Sequence, residues 1–333
     1  MPKVLVTGGA GFIGSHVADL FLARGYEVDV LDNFSSGRPE NVDPRARVHE
    51  LDIRSPEAAR LVSQTTYDVI AHLAAQIDVR KSVADPVFDS SVNVGGTLNL
   101  VEALRQSGRG SRTRFVFAST GGALYGDFVE PPNVENFPKD PESPYGIAKL
   151  CAEYYLAYYA RVHGMDTAAV RFANVYGPRQ DPHGEAGVVA IFCGRILDRK
   201  PLTIFGDGSQ TRDYVFAGDV AEATFLAATH SLPRPERLDV RGFNVGTGVE
   251  TSVTELARVL RRVARADVAI EHAPKRPGEQ QRSVVSIAKA ASLLGWRPRH
   301  SLEDGLARTF AWFAERRAAQ GSAAMPAATG LDR

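Results

Sequence analysis

One stretch limits the possible folds of this chain more than any other. Val4 to Thr7 is an apolar run, Gly8-Gly9-Ala10-Gly11-Phe12-Ile13-Gly14 follows at once, and Val17, Leu20 and Phe21 come next at helical spacing. That order reads as strand, glycine turn, helix. Gly8, Gly11 and Gly14 are spaced G-x-x-G-x-x-G, and Gly9, Gly11 and Gly14 also satisfy G-x-G-x-x-G. Such glycines allow a sharp turn and let backbone N–H groups and a helix N-terminus approach a pyrophosphate. Tyr26 to Leu31 then alternates as a strand and ends in Asp32, 18 residues past Gly14. A carboxylate there can hydrogen-bond an adenosine ribose and repels a 2′-phosphate, which selects NAD over NADP. The expected fold is α/β, a Rossmann-type doubly wound parallel sheet.

Bulk properties exclude other classes. The 333 residues are 44% hydrophobic with a formal net charge of zero, enough for one large core or two linked ones. Balanced charge gives no support for nucleic-acid or membrane-surface binding. Cys151 and Cys193 are too few for a disulfide framework, and the eight histidines lack H-x-x-x-H spacing, so no metal is expected. The chain enters Lys3-Val4-Leu5-Val6 without a charged leader or long apolar run, and a cytoplasmic protein is the expectation.

A second stretch carries chemistry. In Ser143-Pro144-Tyr145-Gly146-Ile147-Ala148-Lys149 the tyrosine and lysine are four residues apart, on one face of a helix that Pro144 is suited to start. A phenol titrates near ~10 and is a poor base at neutral pH unless its anion is stabilised. An ammonium one turn away does that, as would an oxidised nicotinamide. Upstream, Arg114 to Phe117 reads as a strand running into Ala118-Ser119-Thr120, and Thr120 lies 25 residues before Tyr145. Asp68 to Ala75 is a buried-strand run in which His72 reads as a core histidine.

Tyr-x-x-x-Lys with an upstream Ser or Thr, behind a glycine-rich first turn, resembles the short-chain dehydrogenase/reductases. The chain's length and the order of its motifs are similar to the extended, nucleotide-sugar epimerase branch. That resemblance implies an NAD site made by Gly8, Gly11, Phe12, Ile13 and Gly14, then Asp32, Asn33, Ser35, Ser36 and Gly37 at the ribose. It adds Asp52 and Ile53 at the adenine, Leu73, Ala74 and Ala75 beside the cofactor, and Asn93 of Asn93-Val94-Gly95-Gly96-Thr97. Ser119, Tyr145, Lys149 and Phe172 complete it. Tyr145 would be the base, with Lys149 holding the cofactor ribose and making the phenol more acidic. Counted from Phe117 the catalytic hydroxyl is Thr120; counted back from Tyr125-Gly126 the register is ambiguous, so Ser119 stays open. The related dehydratases place Asp-Glu directly after this Thr, because eliminating water needs an acid and a base beyond the redox pair. Here Gly121-Gly122 stands there, as suits an epimerase.

For the substrate, the resemblance implies Asn174 of Arg171-Phe172-Ala173-Asn174-Val175-Tyr176-Gly177-Pro178-Arg179 at a diphosphate, and Val188 and Val189 nearby. Phe205 would stack on a base, and Arg212 and Arg276 suit the diphosphate. Glu279 would take a ribose diol, and Ser283 would be a size gate whose small side chain admits a 2-acetamido group. The implied activity is C4 epimerisation of a UDP-hexose, UDP-galactose or UDP-glucose, by way of a 4-keto sugar. A uronic acid or another nucleotide's sugar as substrate, a net reductase and a catalytically silent NAD sensor remain open alternatives. Residues 1–178 are expected to form the NAD-binding domain, joined by a returning strand near 242–248, with 179–317 mainly substrate-binding and 318–333 a disordered tail. Tyr154, Tyr155, Tyr158 and Tyr159 form an aromatic stripe. It suits either intramolecular packing or the homodimer interface the resemblance implies.

Overall fold

A computed structural model describes residues 1–182, 187–275 and 280–323. The first half alternates strand and helix: β1 (Lys3–Thr7), α1 (Phe12–Ala23), β2 (Glu27–Asp32), β3 (Arg47–Glu50), α2 (Pro56–Gln64) and β4 (Val69–His72). It continues through α3 (Val79–Ala84), α4 (Pro86–Ser90), a π-helical turn over Ser91–Gly96, α5 (Thr97–Gln106), β5 (Arg114–Thr120), α6 (Pro144–His163) and β6 (Thr167–Phe172). The second half has shorter strands: β7 (Asn174–Tyr176), α7 (Val188–Leu197), β8 (Leu202–Phe205), β9 (Thr211–Arg212), β10 (Tyr214–Phe216) and α8 (Ala217–Thr229). After these come β11 (Gly242–Val245), β12 (Thr251–Ser252), α9 (Val253–Val263), β13 (Ile270–Ala273), β14 (Arg282–Ser283), α10 (Ala288–Leu293) and α11 (Leu302–Ala323).

Seven strands form one parallel sheet in the order β11-β6-β5-β4-β1-β2-β3, so the chain is a Rossmann-type doubly wound fold. Period-2 alternation supplies both faces. Val4, Val6, Val28, Val30, Val116 and Val170 pack with α1 and α8. Leu5, Leu31, Ile70, Phe115 and Phe117 pack with α2, α5 and α6. Strand order reverses between β1 and β4, which opens a crevice at their C-terminal ends. Gly8 lies there at φ 71°, and a Cβ on it would stand 2.7 Å from the Ala74 nitrogen. Glycine is therefore required by both dihedral and space.

The second half of the chain has a third core, in which Tyr176, Phe192, Leu202, Ile204, Leu256, Leu260 and Phe313 are buried together. Its small sheets pair β10 with β7, β13 with β8, and β9 with both β12 and β14. The last helix departs from expectation. α11 runs to Ala323, six residues past the Arg317 boundary, because the Ala-rich stretch after it is good helix former even without an apolar period. No helix among the described residues is long and apolar enough to cross a membrane.

Candidate active site

The glycine turn is shaped by backbone contact. A Cβ on Gly14 would stand 2.0 Å from the Gly8 carbonyl oxygen, so the first turn of α1 sits directly on the loop. Gly11 is the N-cap of α1 and makes no side-chain cap, leaving Phe12, Ile13 and Gly14 in the first turn. Asp32, buried at the end of β2, accepts the Ala10 N–H through Oδ2 at 3.0 Å and the Phe34 N–H through Oδ1 at 2.9 Å. Each oxygen keeps a lone pair for a ribose diol. A Cβ on Gly37 would touch this carboxylate at 2.8 Å, which places the Ser35-Ser36-Gly37 loop over it. Asn33 accepts from Ser35 and donates to Asp52 at 3.3 Å. The Arg54 fork holds Asp52 at about 2, so it is an anion throughout the physiological range. The Ile53 side chain is buried against Gly96, and only its backbone is left to meet a ligand.

A hydrogen-bond chain ties the crevice together. The Thr97 hydroxyl donates to the Asn93 carbonyl at 2.7 Å, so His72 Nε2 must be the donor in its 2.9 Å contact with Thr97. His72 Nδ1 then accepts from Thr7, whose oxygen in turn accepts the Ala74 N–H. His72 is thus a satisfied core histidine, with burial pushing its pKa down to about 3. Asn93 spends its amide on the backbone N–H and C=O of Gln76 and on Asp89, fixing the segment after Leu73, Ala74 and Ala75.

The catalytic candidates come from α6 and β5. Ser143 caps α6 by accepting the Gly146 N–H at 3.2 Å, and Pro144 follows at the helix start. Tyr145 and Lys149 are one turn apart, with the lysine nitrogen 5.9 Å from the tyrosine ring centroid. Lys149 is buried, donates to the Ala118 carbonyl at 2.9 Å and lies 4.7 Å from the Phe117 ring centroid. Burial lowers its pKa to about 8, opposed by the charges of Asp89 and Glu153. A Cβ on Gly146 would stand 2.6 Å from the Ala123 oxygen, so the start of α6 lies against the loop that follows Thr120.

The two hydroxyls of β5 separate. Ser119 donates to Glu153 Oε1 at 2.5 Å in a buried contact, so its hydroxyl is committed to the protein and is withdrawn as a candidate. Thr120 Oγ1 accepts the Ala123 N–H at 3.2 Å and lies 4.0 Å from where a Cβ on Gly122 would stand. Asn174 Oδ1 and Ser283 Oγ lie 4.0 and 3.9 Å from the same position. Arg212 is paired with Ser283 across β9 and β14, which carries it to the same region. Phe172, at the end of β6, is buried and accepts the Gly121 N–H on its carbonyl at 2.7 Å.

Other expected ligand contacts do not converge there. Val189 is a core residue, 1% exposed, so its side chain is not available to a ligand; its neighbour Val188 is partly buried at the start of α7. Phe205 ends β8, partly buried, beside β13. Arg276 and Glu279 lie outside the described residues. Two residues outside the expected set hold the site. Glu153, at i+4 from Lys149, pairs with fully buried Arg171 at 2.6 Å. Asp213 accepts from the Thr247 N–H and hydroxyl at 2.6 Å each and from the Gly248 N–H at 3.1 Å. Its carbonyl accepts the Asn174 N–H at 2.9 Å. The first had a signal in the i, i+4, i+8 spacing of Tyr145, Lys149 and Glu153. The second had none, since its partners are remote in sequence.

A doubly wound sheet, a glycine turn at its switch point, an acid ending β2 and a buried Lys one turn from a Tyr define an NAD-linked dehydrogenase/reductase-type protein. The chain matches the GDP-mannose 4,6 dehydratase family over residues 5–309 and belongs to it, within the extended short-chain dehydrogenase/reductases. A UDP-glucose 4-epimerase from Mycolicibacterium smegmatis is 44% identical over 316 residues, covering 93% of this chain and 98% of that protein. The structure of a Thermotoga maritima UDP-glucose 4-epimerase with UDP-glucose matches with a TM-score of 0.89 at 43% identity, covering 95% of this chain and 99% of that one. A Thermus thermophilus UDP-glucose 4-epimerase in complex with NAD matches with a TM-score of 0.85 at 44% identity, covering 94% and 99%.

Proposed function

We infer that this chain catalyses NAD-dependent epimerisation at C4 of a UDP-hexose, interconverting UDP-galactose and UDP-glucose. One juxtaposition carries the reading. Thr120 stands beside Gly121-Gly122, where the dehydratases of the family carry an acid and a base, and α6 brings Tyr145 and Lys149 against the same loop. Redox at one carbon is the chemistry left to such a site. The backbone of Gly8 to Gly14 and the free lone pairs of Asp32 fit a dinucleotide, because the loop admits no side chain where the pyrophosphate approaches.

NAD, when bound there, supplies the acceptor and the later donor of the C4 hydride. The protein's own residues do the rest. Tyr145 takes the proton of the 4-hydroxyl and returns it when the ketone is reduced. The Lys149 ammonium stabilises the Tyr145 anion before the proton is taken and after it is returned. Thr120 hydrogen-bonds the reacting oxygen, and Asn174 and Arg212 hold the diphosphate. Ser283, small and 4% exposed, leaves room for a 2-acetamido group, so N-acetylhexosamine forms are accepted as well. The exposed faces of Tyr154, Tyr155 and Tyr158 on α6 support a homodimer across this helix.

The test is to equilibrate the purified protein, without added cofactor, with UDP-galactose and separately with UDP-N-acetylgalactosamine, then separate the nucleotide sugars. Conversion of both is expected. Conversion of the first alone removes the assignment of Ser283. Conversion of neither, with NAD supplied, removes the UDP-hexose as substrate and turns the search to uronic acids or another nucleotide's sugar.

A further inference from the structure

The two glycines after β5 are glycine for different reasons. A Cβ on Gly121 would stand 2.9 Å from Val285 Cγ1 and 3.1 Å from the Arg171 carbonyl oxygen, so packing alone excludes a side chain. A Cβ on Gly122 would meet nothing nearer than Ser283 Oγ at 3.9 Å, with Asn174 Oδ1 and Thr120 Oγ1 each at 4.0 Å. Those are ordinary van der Waals distances. Nor is Gly122 among the glycines with a positive φ, so its backbone does not demand glycine either. A methyl there would fit without a clash, in van der Waals contact with three polar side chains, one from each of β5, β7 and β14.

We propose that Gly122 is a specificity-determining residue that keeps the sugar subsite wide enough for the hexose to present both faces of its fourth carbon. The proposal rests on the C4-epimerase reading above. Epimerisation needs two ring orientations in one site. In the first, the C4–H bond breaks with its electron pair leaving as hydride to the cofactor, and Tyr145 takes the hydroxyl proton, leaving a ketone. After the ring turns, the same hydride returns to the opposite face of C4 and Tyr145 gives the proton back. Electrons and protons balance, and only the configuration has changed. A subsite filled to fit one orientation would stop after the first half.

Gly122→Ala tests this on the holoenzyme. The melting temperature and the affinity for UDP alone stay at wild-type values, because the methyl touches no protein atom closely. Epimerisation slows about 10-fold or more, the scale of one methyl group placed in a fitted pocket. Reduced cofactor builds up on the protein after UDP-galactose is added, read by its absorbance. Gly121→Ala shows the opposite pattern, a lower melting temperature from crowding against Val285. Wild-type epimerisation by Gly122→Ala would overturn the proposal, as would an equal loss of affinity for UDP alone. If the unmodified protein leaves UDP-galactose unconverted, the epimerase reading fails first and this inference falls with it.

Discussion

Gly8 and Asp213 each sit where two loops meet, and they hold them by different means. At Gly8 the junction is backbone against backbone. The turn after β1 approaches Ala74 after β4 so closely that no side chain fits, and α1 closes the loop from the other side. At Asp213 the junction is a buried carboxylate. The two-residue strands β9, β12 and β14 are too short to fix themselves, and Asp213 gathers the Thr247-Gly248 loop and the Asn174 backbone around them. Burial raises the Asp213 pKa, opposed by the Thr247 and Gly248 hydrogen bonds. One half of the molecule is thus positioned by chain geometry, and the other by side chains reaching across sequence.

The largest effect expected falls on neither junction but between them. Tyr145→Phe removes the proton acceptor and leaves α6 intact, so turnover falls about 10³-fold with NAD retention unchanged. Steady-state rates and the cofactor content of the purified variant check this; a rate near wild type removes Tyr145 from the mechanism. Glu153→Ala leaves the Arg171 guanidinium buried without its closest anion, and stability falls by about 3–5 kcal/mol. Denaturant unfolding measures it, and a loss below 1 kcal/mol would mean Asp239, 2.7 Å from the same guanidinium, suffices alone.

Asp213→Asn sharpens the contrast between the halves most directly. Its effect should be confined to substrate: KM for the UDP-sugar rises about 10-fold while NAD affinity is unchanged. A matching loss of NAD affinity would show the two junctions to be one unit. The smallest effect is on pH dependence. Lys149 has a folded pKa of about 8 against 10.5 when unperturbed. The ammonium that supports the Tyr145 anion is therefore lost as pH rises through about 8, and in the cofactor-free protein Lys149 should titrate there. For stability the sign is opposite. Between those values the unfolded chain binds the extra proton, so this group's contribution rises with pH and is flat below about 8. A Lys149 amine that titrates at the unperturbed value would contradict its buried placement.

How far each half could be read from sequence follows the same division. The glycine turn, Asp32 and the Tyr145–Lys149 pair depend on spacings of a few residues, so their pattern is visible along the chain. Ser119 and Thr120 could not be separated that way, because what distinguishes them is Glu153, 34 residues from Ser119. Val189 reads as a ligand contact by resemblance, yet its side chain is spent in the third core, with Phe192 and Leu256. Asp213 follows Arg212 and carries no local signal, since its partners Thr247 and Gly248 are 34 and 35 residues away. Long-range polar contacts leave little trace in periodicity.

The central claim is oxidation and re-reduction at one carbon, and isotope tracing tests it most directly. UDP-galactose carrying deuterium at C4 is incubated with the protein in ordinary water, and the UDP-glucose formed is examined by NMR. The account predicts deuterium retained at C4 of the product, with no net consumption of cofactor. Deuterium lost to solvent, or product formed only as added cofactor is consumed, would contradict it.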